Sequence, residues 1–341
     1  MTNRRQFLKE SALAGIGLAA GIHGSMAGNK KIDPVEFRIG VIGLDTSHSP
    51  EFAKYINDPK NENMHGMRVT AAYPYGSLKI ESSAGRIPEY TADFKNMNIE
   101  ITDSLDSLLK QSDGILLETN DGNLHYEQAL EVMKARKPMF IDKPLAGNLS
   151  DVVRILEANK KYNTPLFSSS SLRFLPQAQK IRNEHPLGDI TGADAYSPEH
   201  LEPSHTDLYW YGIHGVEILY TLIGTGCKRI RRFTNSNTDF VLGEWEGNRF
   251  GTFRGDLSGK QYYGGLAYGE KGVMDAGAFD GYGLLIDKII EFFRTGKSPV
   301  DINETLEIYT FMEAADVSKK QNGDWVELKT VLDQAYNDIR K

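Results

Sequence analysis

The chain has 341 residues, 40% of them apolar and 25% charged, with a formal net charge of −7. That length allows two domains with sizeable cores, and the charge balance offers no basic footprint for nucleic acid or an anionic membrane. The single cysteine, Cys227, excludes an intrachain disulfide and a cysteine-rich metal site; in "LIGTGCKRI", a helix-to-strand corner, it reads as a buried structural thiol.

Residues 1–27 read as a leader. Arg4 and Arg5 precede Phe7, Leu8 and Lys9, a Gly/Ala-rich run extends from Ala12 to Ile22, and Ser25-Met26-Ala27 has the small residues of a cleavage site. The run is too short to span a bilayer, and the whole is similar to a twin-arginine signal peptide. The expectation is a periplasmic protein that takes up its nucleotide before export. No later stretch has the length and apolarity of a membrane span.

From Phe37 to Leu44 the chain is an apolar run, predicted as a buried parallel strand. Ser49-Pro50-Glu51 then opens a helix. Met67–Tyr73 is a second strand, followed by a polar insertion from Pro74 to about Asn98 with a short helix around Tyr90–Met97. Asp113–Thr119, "KPMFID" and "TPLFSSS" are further strands, separated by the helices "NLHYEQALEVMKAR" and Ser150–Tyr162. This alternation predicts an α/β, Rossmann-type, doubly wound parallel sheet over 36–168. Near residue 187 the pattern changes to strand-like runs with turn glycines, predicting an α+β domain over 169–341 with a mostly antiparallel open sheet. "HGVEILYTLIG" is its evident helix. The closing helices, one ended by Gly296 and one opened by Asp301 and Glu304 as a capping box, are expected to pack back on the first domain. The open sheet face suggests a homo-oligomer.

"FIDKPLAG" (Phe140–Gly147) puts Lys143 on the turn leaving a strand, between Asp142 and Pro144. A residue before proline is pushed to extended backbone, and the carboxyl end of an open α/β sheet is where ligands bind. A desolvated lysine there, beside a cationic cofactor, can fall from about 10.4 toward neutrality and exchange a proton with a hydroxyl. "GVIGLDTSH" occupies the place of a glycine-rich phosphate turn: Gly43 fills the first glycine position, while Asp45 and His48 stand at the second and third. Thr46, Ser47 and the helix-start amides could donate to phosphate; a strand-to-helix turn without ligand is equally open. The second strand ends without a carboxylate for a ribose, and Ser77 and Lys79 could take a 2′-phosphate, so NAD and NADP both stand. Glu118, Asn120 and Asp121 cluster at a strand end as cofactor-side groups, while His125 reads as structural. Arg173 either bridges cofactor and substrate or ties the domains together. His200, His205, Asp207, Tyr209, Trp210, Tyr211 and His214 mix rings with polar groups, as suits stacking on a sugar while bonding its hydroxyls. Their spacing fits no common zinc pattern, so no metal is expected.

With these pieces in place, the mature chain resembles the glucose–fructose oxidoreductase / inositol dehydrogenase / rhizopine-catabolism (Gfo/Idh/MocA) family. Asp142-Lys143-Pro144 matches that family's Glu-Lys-Pro motif, "LRFLP" its Arg-Phe-x-Pro, and "GIHGVEILYTLIG" its catalytic-histidine helix. "IDKIIEFFRTGKSPV" and "EIYTFMEAADVSKKQNGDWVEL" match its closing helices. The resemblance implies that Lys143 exchanges the substrate proton, that His214 assists, and that Asp142 contacts the nicotinamide ribose. The chain departs from the pattern at Asp45 and His48, before His125 where Thr-Pro-Asn is absent, and at Trp210, where the family keeps an aspartate; Asp207 is the nearest substitute.

The function so expected is an exported NAD(P)-dependent oxidoreductase acting on a secondary hydroxyl of a sugar or sugar-derived polyol. Substrate contacts are expected from Lys143, Arg173, His200, His205, Asp207, Tyr211 and His214. Two alternatives remain: a glycosidase that oxidises, eliminates and re-reduces with bound NAD, and a non-catalytic sugar- or nucleotide-binding protein of the same fold.

Overall fold

Four buried side chains in one row, Val41, Leu116, Phe140 and Phe167, cross four adjacent parallel strands in register. They show why the first half of the chain folds as it does. The computed structural model describes residues 37–260 and 262–340; the expected leader, 1–27, lies outside the described residues. The row sits on β1 (Phe37–Ile42), β4 (Gly114–Leu117), β5 (Met139–Ile141) and β6 (Leu166–Ser168), and β2 (Met67–Tyr73) with β3 (Glu100–Ile101) completes a six-stranded sheet of order β3-β2-β1-β4-β5-β6. Each such buried side chain contributes ~1.5–3 kcal/mol, and strands buried on both faces need the unbroken apolar runs seen in the sequence. The helices of this half are α1 (His48–Asn57), α2 (Glu81–Ala84), α3 (Ile87–Asn96), α4 (Leu105–Gln111), α5 (His125–Lys134) and α6 (Leu149–Tyr162). The polar insertion thus holds two helices, and β3 and α4 were not anticipated. β3 is two residues long and half exposed, too short for a periodic pattern.

After a 3-10 turn at Ser171–Phe174 the chain forms α7 (Pro176–Glu184), β7 (Ile190–Pro198), α8 (Asp207–Trp210) and α9 (Ile213–Ile223). Then follow β8 (Cys227–Thr234), β9 (Thr238–Trp245), β10 (Arg249–Asp256), β11 (Gly264–Gly269) and β12 (Gly272–Asp275). The chain closes with α10 (Gly283–Thr295), α11 (Ile302–Lys320), β13 (Val326–Glu327) and α12 (Leu328–Asp338). The second sheet has order β12-β11-β7-β10-β9-β8-β13; the pair β10–β7 is parallel and its other pairs are antiparallel. The fold class is therefore as expected: a parallel Rossmann-type sheet followed by a mostly antiparallel one. Every residue of α9 is buried, so the helix that carries His214 is locked on all sides. Its core continues that of β4 and β5, while α10 covers the other face of the first sheet, Phe292 lying 5.0 Å from Phe167 ring to ring.

Glu304 is not the partner in a capping box. Asp301 caps α11 alone, accepting from Asn303 N at 2.7 Å, and Glu304 turns inward to two arginines. Cys227 begins β8, buried as expected, and burial pushes its thiol well up. No helix among the described residues is long and apolar enough to cross a membrane.

Candidate active site

The carboxyl ends of β1, β4 and β5 meet where the strand order reverses, the crevice in which open α/β sheets take ligands. A cavity of about 310 Å³ lies there. Thr46, Ser47, His48, Asn120 and Lys143 line it from the first sheet, with Ser82 and Arg86 at one end. His200, Trp210, Tyr211 and His214 line it from the second sheet's loops and α9, and Tyr263, Phe279 and Tyr282 complete an aromatic wall. Lys143 and His214, 71 positions apart (143 and 214), thus face one space.

The turn after β1 is built tightly. Gly43 has φ +87°, and a Cβ there would stand 2.6 Å from the Thr119 backbone, so only glycine serves. Asp45, an objection on sequence grounds, is turned out of the cavity. It is buried and accepts from Ser77 N at 2.8 Å and Asn120 N at 3.0 Å, beneath Gly76, where a Cβ would meet its carboxylate at 2.1 Å. That rotation takes the carboxylate out of the cavity lining. Thr46, Ser47 and the start of α1 line the cavity, as does the half-buried Arg86.

Lys143 is 8% exposed, and the Lys143–Pro144 bond is cis. Burial lowers its pKa, with Asp142 and Glu118 opposing the fall only in part. Its Nζ lies 5.7 Å from the centre of the Tyr211 ring. His214 presents its Nδ1 to Ser170 Oγ at 2.7 Å, and burial, then Lys143, drives the imidazole well below its ordinary value, so it is neutral. Burial alone would raise the Asp142 carboxyl, but His48, whose Nδ1 is 2.7 Å away, and Lys143 hold it below the usual range. Tyr211 stands edge-on to His200 (4.7 Å) and His214 (5.3 Å), and Tyr282 edge-on to His48 (4.7 Å). Burial pushes the Tyr282 hydroxyl up to about 12, which keeps it a donor.

Several expected site residues lie elsewhere. Arg173 is buried between Glu217 (2.5 Å) and Glu304 (2.8 Å); the fold ties it into the framework, the second of its two possible roles. Asp207 is held by Arg232 (3.0 Å) and Lys319 (2.7 Å), so it does not replace the family's aspartate, and Trp210 occupies the cavity wall instead. His205 accepts from Gly122 N at 3.0 Å and packs on Trp210. Asp121 accepts from Ser77 Oγ at 2.8 Å and caps the turn at Asn123. Ser77 is thereby buried and engaged, no longer a 2′-phosphate ligand; Lys79 is exposed. Glu118 lies behind the wall, fully buried, as does Asp142. His125 bonds the Thr119 and Leu145 carbonyls, the structural part expected of it. Sequence reasoning missed Arg86, Tyr263, Phe279 and Tyr282. Arg86 sits in the polar insertion with no motif around it, and Tyr263 lies among the strand-like runs of the second domain.

At the switch point of a parallel sheet, a buried lysine and a neutral histidine thus line one cavity. Residues 37–169 match the model of the GFO_IDH_MocA oxidoreductase family, NAD-binding Rossmann fold. A 75-residue stretch is 35% identical to the myo-inositol 2-dehydrogenase of Thermotoga maritima, spanning 22% of this chain and 22% of that relative. Among solved structures, scyllo-inositol dehydrogenase from Lactobacillus casei, with bound NAD(H) and scyllo-inositol, superposes with TM-score 0.66 at 12% identity, over 86% of this chain and 99% of that one. An oxidoreductase from Agrobacterium radiobacter in complex with NAD+, L-tartaric acid and magnesium gives 0.70 at 12% identity, over 87% and 100%. At such identity the likeness is one of fold.

The residues present fit a nicotinamide dinucleotide. Gly43 makes the tight turn, Asp45 is out of the way, and Thr46, Ser47 and Arg86 offer donors and positive charge for a diphosphate.

Proposed function

We propose that the chain is a nicotinamide-dependent dehydrogenase acting on a secondary hydroxyl of a ring-shaped polyol or sugar. One observation carries this reading: Lys143, after β5, and His214, on α9, line the same cavity. The dinucleotide, held by Thr46, Ser47 and Arg86, supplies the hydride acceptor when bound. Lys143 Nζ takes the hydroxyl proton as the alcohol is oxidised and returns it in the reverse direction; its depressed pKa makes that exchange accessible. His214, neutral and oriented by Ser170, bonds the same hydroxyl and holds it toward Lys143. Tyr211, Trp210, Tyr263 and Tyr282 give a sugar face rings to stack on and hydroxyl donors to bond. Asp142 orients His48 and stabilises the Lys143 ammonium that forms once the hydroxyl proton has been taken.

Screening a panel of inositols and sugars with NAD and with NADP, at constant enzyme, tests this directly. Reduction of a nicotinamide by at least one polyol is the expected result. Absence of turnover across the panel, with dinucleotide bound, would favour the non-catalytic alternative. Export through residues 1–27 and self-association through the second sheet belong to the same proposal. Cell fractionation of the full chain against an Arg4→Lys/Arg5→Lys variant tests the first, and sedimentation of the purified protein the second.

A further inference from the structure

Behind the cavity wall the fold gathers three side chains that no local pattern connects. His48 opens α1, Glu118 follows β4 and Asp142 follows β5. Each offers one nitrogen or oxygen, and these atoms all lie within 4.8 Å of one another. All three are buried: Glu118 fully, Asp142 to 2% exposure and His48 to 8%. Neither Glu118 oxygen has a hydrogen-bond partner, and neither does Asp142 Oδ1; Asp142 Oδ2 alone is engaged, by His48. Two carboxylates in so dry a place cost several kcal/mol each unless matched by charge or bonds. Lys143 offsets one of them. The second has no cation of its own among the described residues, and its oxygens have no hydrogen-bond partner.

We infer that His48, Glu118 and Asp142 form a divalent-cation site. Ligand atoms at ~2.0–2.3 Å from an ion stand no more than ~4.6 Å apart, so the observed cluster needs only a small contraction. One imidazole nitrogen with two carboxylate oxygens suits an ion of the Mn2+ to Zn2+ series better than Ca2+, which prefers an all-oxygen shell. The carboxylate that Lys143 leaves unmatched would offset half the charge of a dication. Because His48 also lines the cavity, the ion would sit directly behind the wall that holds Lys143. The inference stands apart from the dehydrogenase reading: the cluster would bind the ion whether or not a polyol is turned over.

The competing way to quiet Glu118 is a proton of its own, and metal binding separates the two. The full chain, purified without chelator, is analysed for metal by mass spectrometry. It is then stripped with EDTA and titrated with MnCl2, followed by loss of the free-ion paramagnetic resonance signal, and with ZnCl2 by calorimetry. One ion per chain is expected, with affinity weakened at least on the order of 10–100-fold in Glu118→Gln, which keeps the volume and removes the charge. Should that variant fail to fold, His48→Gln, at the cavity rim, is expected to show a similar loss. Three results would overturn the site: no stoichiometric binding of either ion, wild-type affinity in the folded Glu118→Gln or His48→Gln protein, or a loss confined to His200→Asn, which would place the ion among the histidines at 200–214.

Discussion

Two buried ionic groups lie close to the cavity and are built on opposite rules. In one, Arg173 bonds Glu217 at 2.5 Å and Glu304 at 2.8 Å, and Arg182 bonds the other oxygen of Glu304 at 2.5 Å. Two arginines meet two glutamates and the charges cancel. Burial alone would lower the Arg173 guanidinium, but the two acids hold it raised. In the other, Lys143 faces Asp142 and Glu118, and three carboxylate oxygens remain without partners. The matched group joins the 3-10 turn, α9, α7 and α11 into one frame. The unmatched group borders the cavity, where residual charge is available to a ligand. Stability and chemistry are thus assigned to neighbouring charges by how completely they are paired.

Lys143→Met should produce the largest effect and break the comparison most cleanly if it fails. Turnover should fall on the order of 10²–10⁴-fold, the range for a positioned acid–base group, with dinucleotide binding retained. Steady-state kinetics and calorimetry on one preparation would check it; wild-type turnover would remove Lys143 from the mechanism. Arg173→Met should do the reverse. It leaves buried Glu217 without its cation, while Glu304 keeps Arg182, and should lower unfolding free energy by roughly 3–5 kcal/mol in urea titrations, with turnover per folded molecule kept.

Arg86→Ala sharpens the cofactor side. Losing one charge-assisted contact to a diphosphate, about 1.5–3 kcal/mol, should weaken dinucleotide binding roughly 10–100-fold by calorimetry. An unchanged affinity would place the diphosphate away from Arg86. The smallest effect concerns Asp316, beside Arg232 in the second sheet's own ion cluster. Burial, with Asp207 adding to it and Arg232 opposing, pushes the Asp316 carboxyl up to about 6. An unfolded aspartate loses its proton near 3.9, roughly. Between those values the folded chain binds the proton more tightly, so rising pH weakens the fold across that window. Asp316→Asn should flatten the decline by roughly 1–3 kcal/mol, read as the difference between the two proteins' urea midpoints at pH 4.5 and 7.

The strands of the first sheet were legible because a strand buried on both faces must be a continuous apolar run, and β4, β5 and the buried part of β1 are such runs. Lys143 was legible because its position depends on its nearest neighbours, a strand before it and a proline after it. His214 could be placed because the helix it begins is apolar throughout. Asp207, His205 and Arg173 were not: each is a polar residue near the right strand or helix, and its partner lies on an element far along the chain. Glu304 looked like a cap because a cap is a local pattern, while its real partners, Arg173 and Arg182, are more than a hundred positions earlier. Asp45 looked like an obstacle because sequence records its charge and not its rotamer.

By itself the sequence determined the alternation of strands and helices, the site of the switch point, and the lysine and histidine to look for there, since these follow from periodicity and adjacent residues. Tertiary structure alone decided which charges are neutralised and which are left exposed to a ligand. That depends on distances of a few ångströms between elements the chain order keeps apart, and in a dry interior those distances set both pKa and role.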